Sequence, residues 1–259
     1  MVDIHSTAIV SSKEKLGENI KVAPYAIIND DVEIGDDCYI GPHACIYNGA
    51  RIGNRVKIYQ SVSVAHHPQD IHFNGSPTNF FIGDDSVIHE FVTLHRGTEV
   101  TKKSSVGKNC MLMAYVHVAH DCSVGDNVII ANSVQIGGHV TIEDYAIIGG
   151  STPVHQFCKV GAHSMTGGGF RITQDVPPFI MAASEPLKFS GLNVIGLRRR
   201  GFSNDDIYDL KKVFQIIYDK SLNLSQAKEK IKAELGTENK HVNYVLEFLD
   251  RSKRGIVGK

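Results

Sequence analysis

The chain has 259 residues, with 27 Lys and Arg against 28 Asp and Glu, for a formal net charge of −1 at pH 7. That balance excludes the strongly basic field by which a protein binds nucleic acid or an anionic membrane. No apolar run is long enough for a transmembrane helix and the N-terminus lacks a basic-then-apolar signal, so a cytoplasmic protein is expected.

The first element starts at Ile4, and from there an aliphatic residue recurs at every sixth position: Val10, Leu16, Val22, Ile28, Ile34, Ile40, Ile46, Ile52, Ile58 and Val64. The line resumes at Ile82 and runs through Ile88, Leu94, Val100, Val106, Leu112 and Val118 to Val160, with only Asp70 and Ser76 out of step. A period of six matches neither a helix nor a plain alternating strand. It marks a hexapeptide β-helix, in which three hexads close a triangular coil of eighteen residues around one apolar core. Each buried aliphatic contributes roughly 1.5–3 kcal/mol before entropy is subtracted. Gly often follows the aliphatic, as at Gly35, Gly53, Gly107 and Gly125, where a corner needs tight backbone geometry. Cys38, Cys110, Cys122 and Cys158 precede an aliphatic by two, the slot that Ala26 and Ala44 fill elsewhere. They are expected as small core residues, not as disulfides or nucleophiles. Val87, Val128 and Ile129 are read as outward apolar residues on flat walls.

Residues 65–81 break the six-residue line and are expected to leave the coil as a loop. Residues 95–103 keep the period but are polar and charged, so they too are expected to bulge, with Val100 in phase by accident. From about residue 203 the pattern turns helical. Ser203 reads as an N-cap with Asp206 three residues on, followed by Ile207, Leu210, Phe214 and Ile217. Ser225 is expected to cap a second helix ending near Gly236, and His241 to Arg251 to form a third. The expected organisation is a β-helix over 1–190 and a helical domain over 191–259.

The chain has 13 histidines, and His95, His117, His120, His139, His155 and His163 cluster. A coil of eighteen stacks His120, Gly138 and Gln156 in one column, roughly 4.8 Å apart, with His139 and His155 beside it. None of them occupies an inward slot. Such a wall suits acyl transfer: an imidazole is an effective base for a hydroxyl near pH 7, and a glycine N–H can face a developing oxyanion. Asp121 adjoins His120 and can orient it, provided a corner falls there, since consecutive strand residues point to opposite faces. Two other readings remain open. His117 and His120 suggest a metal site, as in the zinc carbonic anhydrases built from hexapeptide repeats. A non-catalytic scaffold is the other. Arg198, Arg199 and Arg200 form a basic cluster suited to phosphate oxygens.

The segments LHRGT (94–98), HVAHDC (117–122), IGGHVTIEDYAIIGG (136–150), VHQFCKVGAH (154–163), QDVPPF (174–179) and GLRRRGF (196–202) occur in this order. With them the chain resembles, over essentially its whole length, the bacterial acyl-carrier-protein–UDP-N-acetylglucosamine O-acyltransferases, which begin lipid A synthesis. The resemblance implies a left-handed parallel β-helix of hexapeptide repeats with a C-terminal α-helical domain, assembled as a homotrimer with sites between subunits. It implies transfer of an (R)-3-hydroxyacyl chain from acyl carrier protein to the sugar 3-hydroxyl, without a cofactor. His120 would be the general base, Asp121 its support and Gly138 the oxyanion donor. Gln69, Asp70, His95, His117, His139, His155, Gln156, Asn193, Arg199 and Arg200 would bind the UDP-sugar. Gly168 and Arg171 would end the acyl groove. Ile71-His72-Phe73 and Ile195 depart from the common family pattern, which leaves a 3-amino sugar as an alternative acceptor. The later N-acyltransferases of the same pathway carry an extra N-terminal domain, for which the hexads starting at Ile4 leave no room.

Overall fold

The computed structural model describes residues 2–12 and 15–259. Short parallel strands, most of two residues, stack into three sheets of eleven, eight and seven strands. Lys21 pairs with Tyr39, Ile9 with Ile27 and Glu33 with Arg51, each eighteen residues on. This is the three-walled parallel β-helix read from the period. From Val22 to Val160 every residue of the aliphatic line is buried except Val100, which is 76% exposed.

Register measures the two insertions. Ile52 pairs with Ile82 across thirty positions, twelve more than one coil, and Ile82 with Val106 across twenty-four, six more. Both insertions leave the coil at the same corner, after Val64 and after Leu94. The second is therefore a real bulge, and Val100 does fall in phase by accident.

The corner glycines serve another purpose than a special φ. A Cβ on Gly107 would lie 2.6 Å from the Gly125 carbonyl carbon one coil on, so the coils stack too closely there for any side chain. The left-handed residues are instead Asp37, Arg55, Asp121, His139 and others like them, at φ near +60°. At the glycine corners an Asp or Asn accepts the N–H one coil back: Asp36 from Glu18 at 2.8 Å, Asp126 from Lys108 at 2.7 Å, and Asp144 from Asp126 at 2.8 Å. This ladder satisfies backbone donors that the short strands leave over.

All five cysteines are free, and Cys38, Cys110, Cys122 and Cys158 are buried. Burial pushes the Cys122 thiol up to about 12, which rules it out as a nucleophile. Val128 corrects the reading of the walls. It precedes Ile130 by two, the same inward slot as the cysteines, and is fully buried, whereas Val87 and Ile129 are half-buried on the outer face.

Beyond the coil, Ile180–Ala183 and Lys188–Leu192 pair antiparallel at the end of the largest sheet. Four helices follow: α1 (Val194–Arg199), α2 (Asn204–Ile217), α3 (Leu224–Leu235) and α4 (Lys240–Arg251). Ser203 and Asp206 form the expected capping box of α2. The cap of α3 is Asn223, bonded reciprocally to Gln226, two residues earlier than Ser225. The buried faces of α2, α3 and α4 join the coil core in one cluster. Glu143 of the coil ties α4 down, accepting from the Tyr244 hydroxyl at 2.8 Å and pairing with Arg251 at 3.1 Å.

Candidate active site

The turn between His117–Val118 and Ser123–Val124 lies at the corner where both insertions depart. Asp121 sits there at φ +59°, in the left-handed region. That turn lets two consecutive side chains converge, which a straight strand forbids. His120 Nδ1 and Asp121 Oδ2 are 2.7 Å apart, with the imidazole 15% exposed and the carboxylate wholly buried.

The second insertion folds back to hold this carboxylate. Asp121 Oδ1 accepts from the Thr98 N–H at 3.0 Å and from the Thr101 hydroxyl, and Oδ2 accepts from the Thr98 hydroxyl at 2.8 Å as well as from His120. Burial alone would push the carboxyl up, but the bonds from Thr101, His120 and Thr98 outweigh it and hold Asp121 below its ordinary range. An ionised Asp121 makes Nδ1 the donor and leaves the lone pair on Nε2. Thr98 and Thr101 escaped the sequence reading, because their segment looked like an ordinary polar bulge.

Gly138 lies one coil on. A Cβ there would be 2.9 Å from His120 Nε2 and 2.8 Å from Cε1, so only glycine leaves the ring its place. The Gly138 carbonyl accepts from the Phe157 N–H, and among the described residues no acceptor is bonded to the Gly138 N–H. His139 stands edge-on to His120 at 5.3 Å and stacks on Phe157 at 4.7 Å.

On the adjoining wall His117 Nδ1 meets the Thr93 hydroxyl at 2.8 Å, and its ring lies 5.1 Å from that of His95. Burial, then the neighbouring His95 and His120, push His117 down to about 4. Burial likewise lowers His95, whose Nδ1 donates to the His67 carbonyl at 2.5 Å. Both rings are neutral at pH 7.

His120, Asp121 and His139 bring three potential ligand atoms within 4.8 Å of one another. The donor set does not suit a metal: the two Asp121 oxygens already accept four hydrogen bonds, which use the lone pairs an ion would need.

Known proteins carry the same framework. The family model "UDP N-acetylglucosamine O-acyltransferase, domain 2" matches residues 175–257, and the bacterial transferase hexapeptide model matches 15–48 and 103–138. An acyl-[acyl-carrier-protein]–UDP-N-acetylglucosamine O-acyltransferase of Thiobacillus denitrificans is 43% identical, with 99% of this chain and all of the relative covered. One of Paraburkholderia phymatum is 44% identical at the same coverage. The crystal structure of a UDP-N-acetylglucosamine acyltransferase from Bacteroides fragilis superposes with TM-score 0.94 at 41% identity, over 98% of this chain and 99% of the other. The chain belongs to the acyl-[acyl-carrier-protein]–UDP-N-acetylglucosamine O-acyltransferase family.

The other positions that the family resemblance singled out lie around this corner and toward the helical end. His155 and Gln156 are exposed, one coil beyond Gly138, with His155 Nδ1 donating to the Gln156 carbonyl at 3.0 Å. Gln69 is exposed in the long insertion, where Asp70 closes a turn by accepting from the His72 N–H at 2.9 Å. Among the described residues no hydrogen bond joins that pair to His95, His117, His120 or His139. Asn193 is buried: its Oδ1 caps α1 by accepting from the Gly196 N–H, and its Nδ2 donates to the His163 carbonyl at 3.0 Å. Its side chain is therefore a strut between the coil and α1. Arg199 is exposed, and Arg200 lies 5.1 Å from the Tyr145 ring. Arg171 pairs with Glu185 at 3.1 Å on the surface, and a Cβ on Gly168 would lie 2.9 Å from the Gly150 carbonyl oxygen.

Proposed function

We propose that this family member transfers an (R)-3-hydroxyacyl chain from acyl carrier protein to the 3-hydroxyl of UDP-N-acetylglucosamine, the first step of lipid A synthesis. The observation that carries the proposal is His120 bonded to an Asp121 carboxylate that Thr98 and Thr101 keep ionised, with Gly138 packed against the ring one coil on and its N–H free of any described acceptor. His120 Nε2 takes the proton of the sugar hydroxyl as that oxygen attacks the thioester carbonyl. The Gly138 N–H stabilises the oxyanion. Collapse breaks the C–S bond, and His120 returns the proton to the departing thiolate. Asp121 stabilises the imidazolium formed between the two transfers.

Neutral His117 and His95, with His139, His155 and Gln156, line the sugar side. Gln69 and Asp70 approach from the insertion, and Arg199 and Arg200 serve the nucleotide. Asn193 supports that end through its cap. We read the assembly as a homotrimer with shared sites. In its favour stands an outward apolar stripe on the largest sheet, at coil spacing: Val87, Met111, Ile129, Ile147 and Met165. Among the described residues no helix is long and apolar enough to cross a membrane. The five unpaired thiols suit the reducing cytoplasm, where we place the enzyme.

The test incubates the protein with 3-hydroxyacyl carrier proteins and an equal mixture of UDP-N-acetylglucosamine and its 3-amino analogue, and weighs the products. The expected result is an ester product that falls by roughly a hundredfold or more in a folded His120→Ala variant. An amide product alone moves the acceptor to the amino sugar, and full activity without His120 sinks the mechanism.

A further inference from the structure

The long insertion roofs a second cavity, distinct from the His120–Asp121 corner. It encloses about 440 Å³, and Asp31, Asn48, Arg51, His67, Thr78 and Arg96 are among the residues around it. Arg96 is only 7% exposed and Thr78 only 3%. Arg96 Nη1 donates to the Asn48 carbonyl at 2.7 Å, but Arg96 Nε and Thr78 Oγ1 are buried without a partner. The cavity's one lining carboxylate, Asp31, is already committed, to Arg51 at 2.8 Å and Lys15 at 3.3 Å. Among the described residues Arg96 has no ion pair.

A buried guanidinium ordinarily has an anionic partner, because desolvation without one is costly. Here no described residue pairs with it, and Asp31 acts on it only from beyond pairing distance, while the cavity is large enough for an anion and is lined by Arg51 as well. The guanidinium fork matches the oxygens of a phosphate or carboxylate, and the Thr78 hydroxyl adds a donor that a spherical ion would not need. We propose that this cavity binds a small oxyanion, a phosphate or a carboxylate, through Arg96 and Thr78. The bound anion would tie the insertion to the coil. Phe73 of the insertion lies 5.7 Å from the Arg96 guanidinium, and the His67 carbonyl of the same segment holds His95. The site stands independently of the acyl-transfer reading, since its test needs no turnover.

The experiment measures the melting temperature of the full chain against rising inorganic phosphate, acetate, or chloride at matched ionic strength. A saturating rise with phosphate or acetate, beyond that with chloride, is expected, and whichever anion saturates identifies the ligand class. Thr78→Val, nearly isosteric, and Arg96→Gln are expected to weaken that response roughly tenfold or more, and Arg199→Gln to leave it intact. Should Arg96→Gln fail to fold, Thr78→Val decides. The proposal is overturned if neither anion exceeds chloride, if Thr78→Val responds as the parent does, or if Arg199→Gln abolishes the response. A crystal grown in the saturating anion that holds only water on Arg96 Nε would also overturn it.

Discussion

Asp121 shows how much of the chemistry hangs on hydrogen bonds to one carboxylate. Its four donors keep it ionised despite burial, so its folded pKa lies below the ordinary 3.8. By linkage, that depression adds stability above the unfolded value, which is lost as pH falls through the folded one. Thr98→Val removes the hydroxyl donor and raises the folded pKa. The acid limb of kcat/KM is expected to move to higher pH, with Thr98→Ser restoring the parent profile; an unmoved limb means the threonine only packs. Gly138→Ala tests a separate demand. The added methyl meets the His120 ring at 2.8 Å, so the imidazole must shift, and activity is expected to fall at least tenfold while circular dichroism and the melting temperature change little. Equal activity in Gly138→Ala would mean that the position of the His120 ring against Gly138 does not matter.

At the scale of elements, two-residue strands have no stability of their own and exist only as rungs of the stack. Insertions are tolerated because each leaves at a corner, where the ladder is already interrupted. Both leave at one corner, so the second lands on Asp121 while the first roofs the oxyanion cavity. The helical tail is held by specific joints: the Asn193 cap and the Glu143–Tyr244–Arg251 contact. The proposed end of the acyl groove belongs to this scale too, since Arg171 follows the last full rung at Met165–Thr166 and pairs with Glu185 after the next strand. Arg171→Ala is expected to shift the preferred donor toward longer chains, measured in competition among acyl carrier proteins of ten to sixteen carbons. An unchanged preference removes Arg171 from chain-length selection.

For the whole molecule, the outward stripe of Met111, Ile129, Ile147 and Met165 is the feature that one chain leaves unfinished. Single exposed apolar residues are ordinary, but a line of them on a flat wall marks an interface. Light scattering is expected to give the mass of three chains for the parent and of one for the double variant Ile129→Glu and Met165→Glu. A monomeric parent would end the trimer reading and the shared cleft with it. Because the proposed nucleotide residues sit on the helical end, loss of the trimer should also weaken the UDP-sugar.

The sequence by itself determined the coil. A six-residue period has one physical solution here, and it set the core and the stacking of His120 on Gly138 before any coordinates. It also located the first insertion, the α2 cap and the inward cysteines. Val128, two residues before Ile130, carries the same inward phase as those cysteines, so the period itself places it in the core. Tertiary structure decided the rest. The left-handed turn at Asp121, which joins His120 to its carboxylate, depends on the backbone of neighbouring coils. Thr98 and Thr101 reach that carboxylate across 23 and 20 residues by a fold-back that carries no period. Asn193 became a strut, and Arg96 was left without an anion, because of packing between segments distant in the chain. Periodicity reports what repeats, and these contacts are made where the repeat is broken.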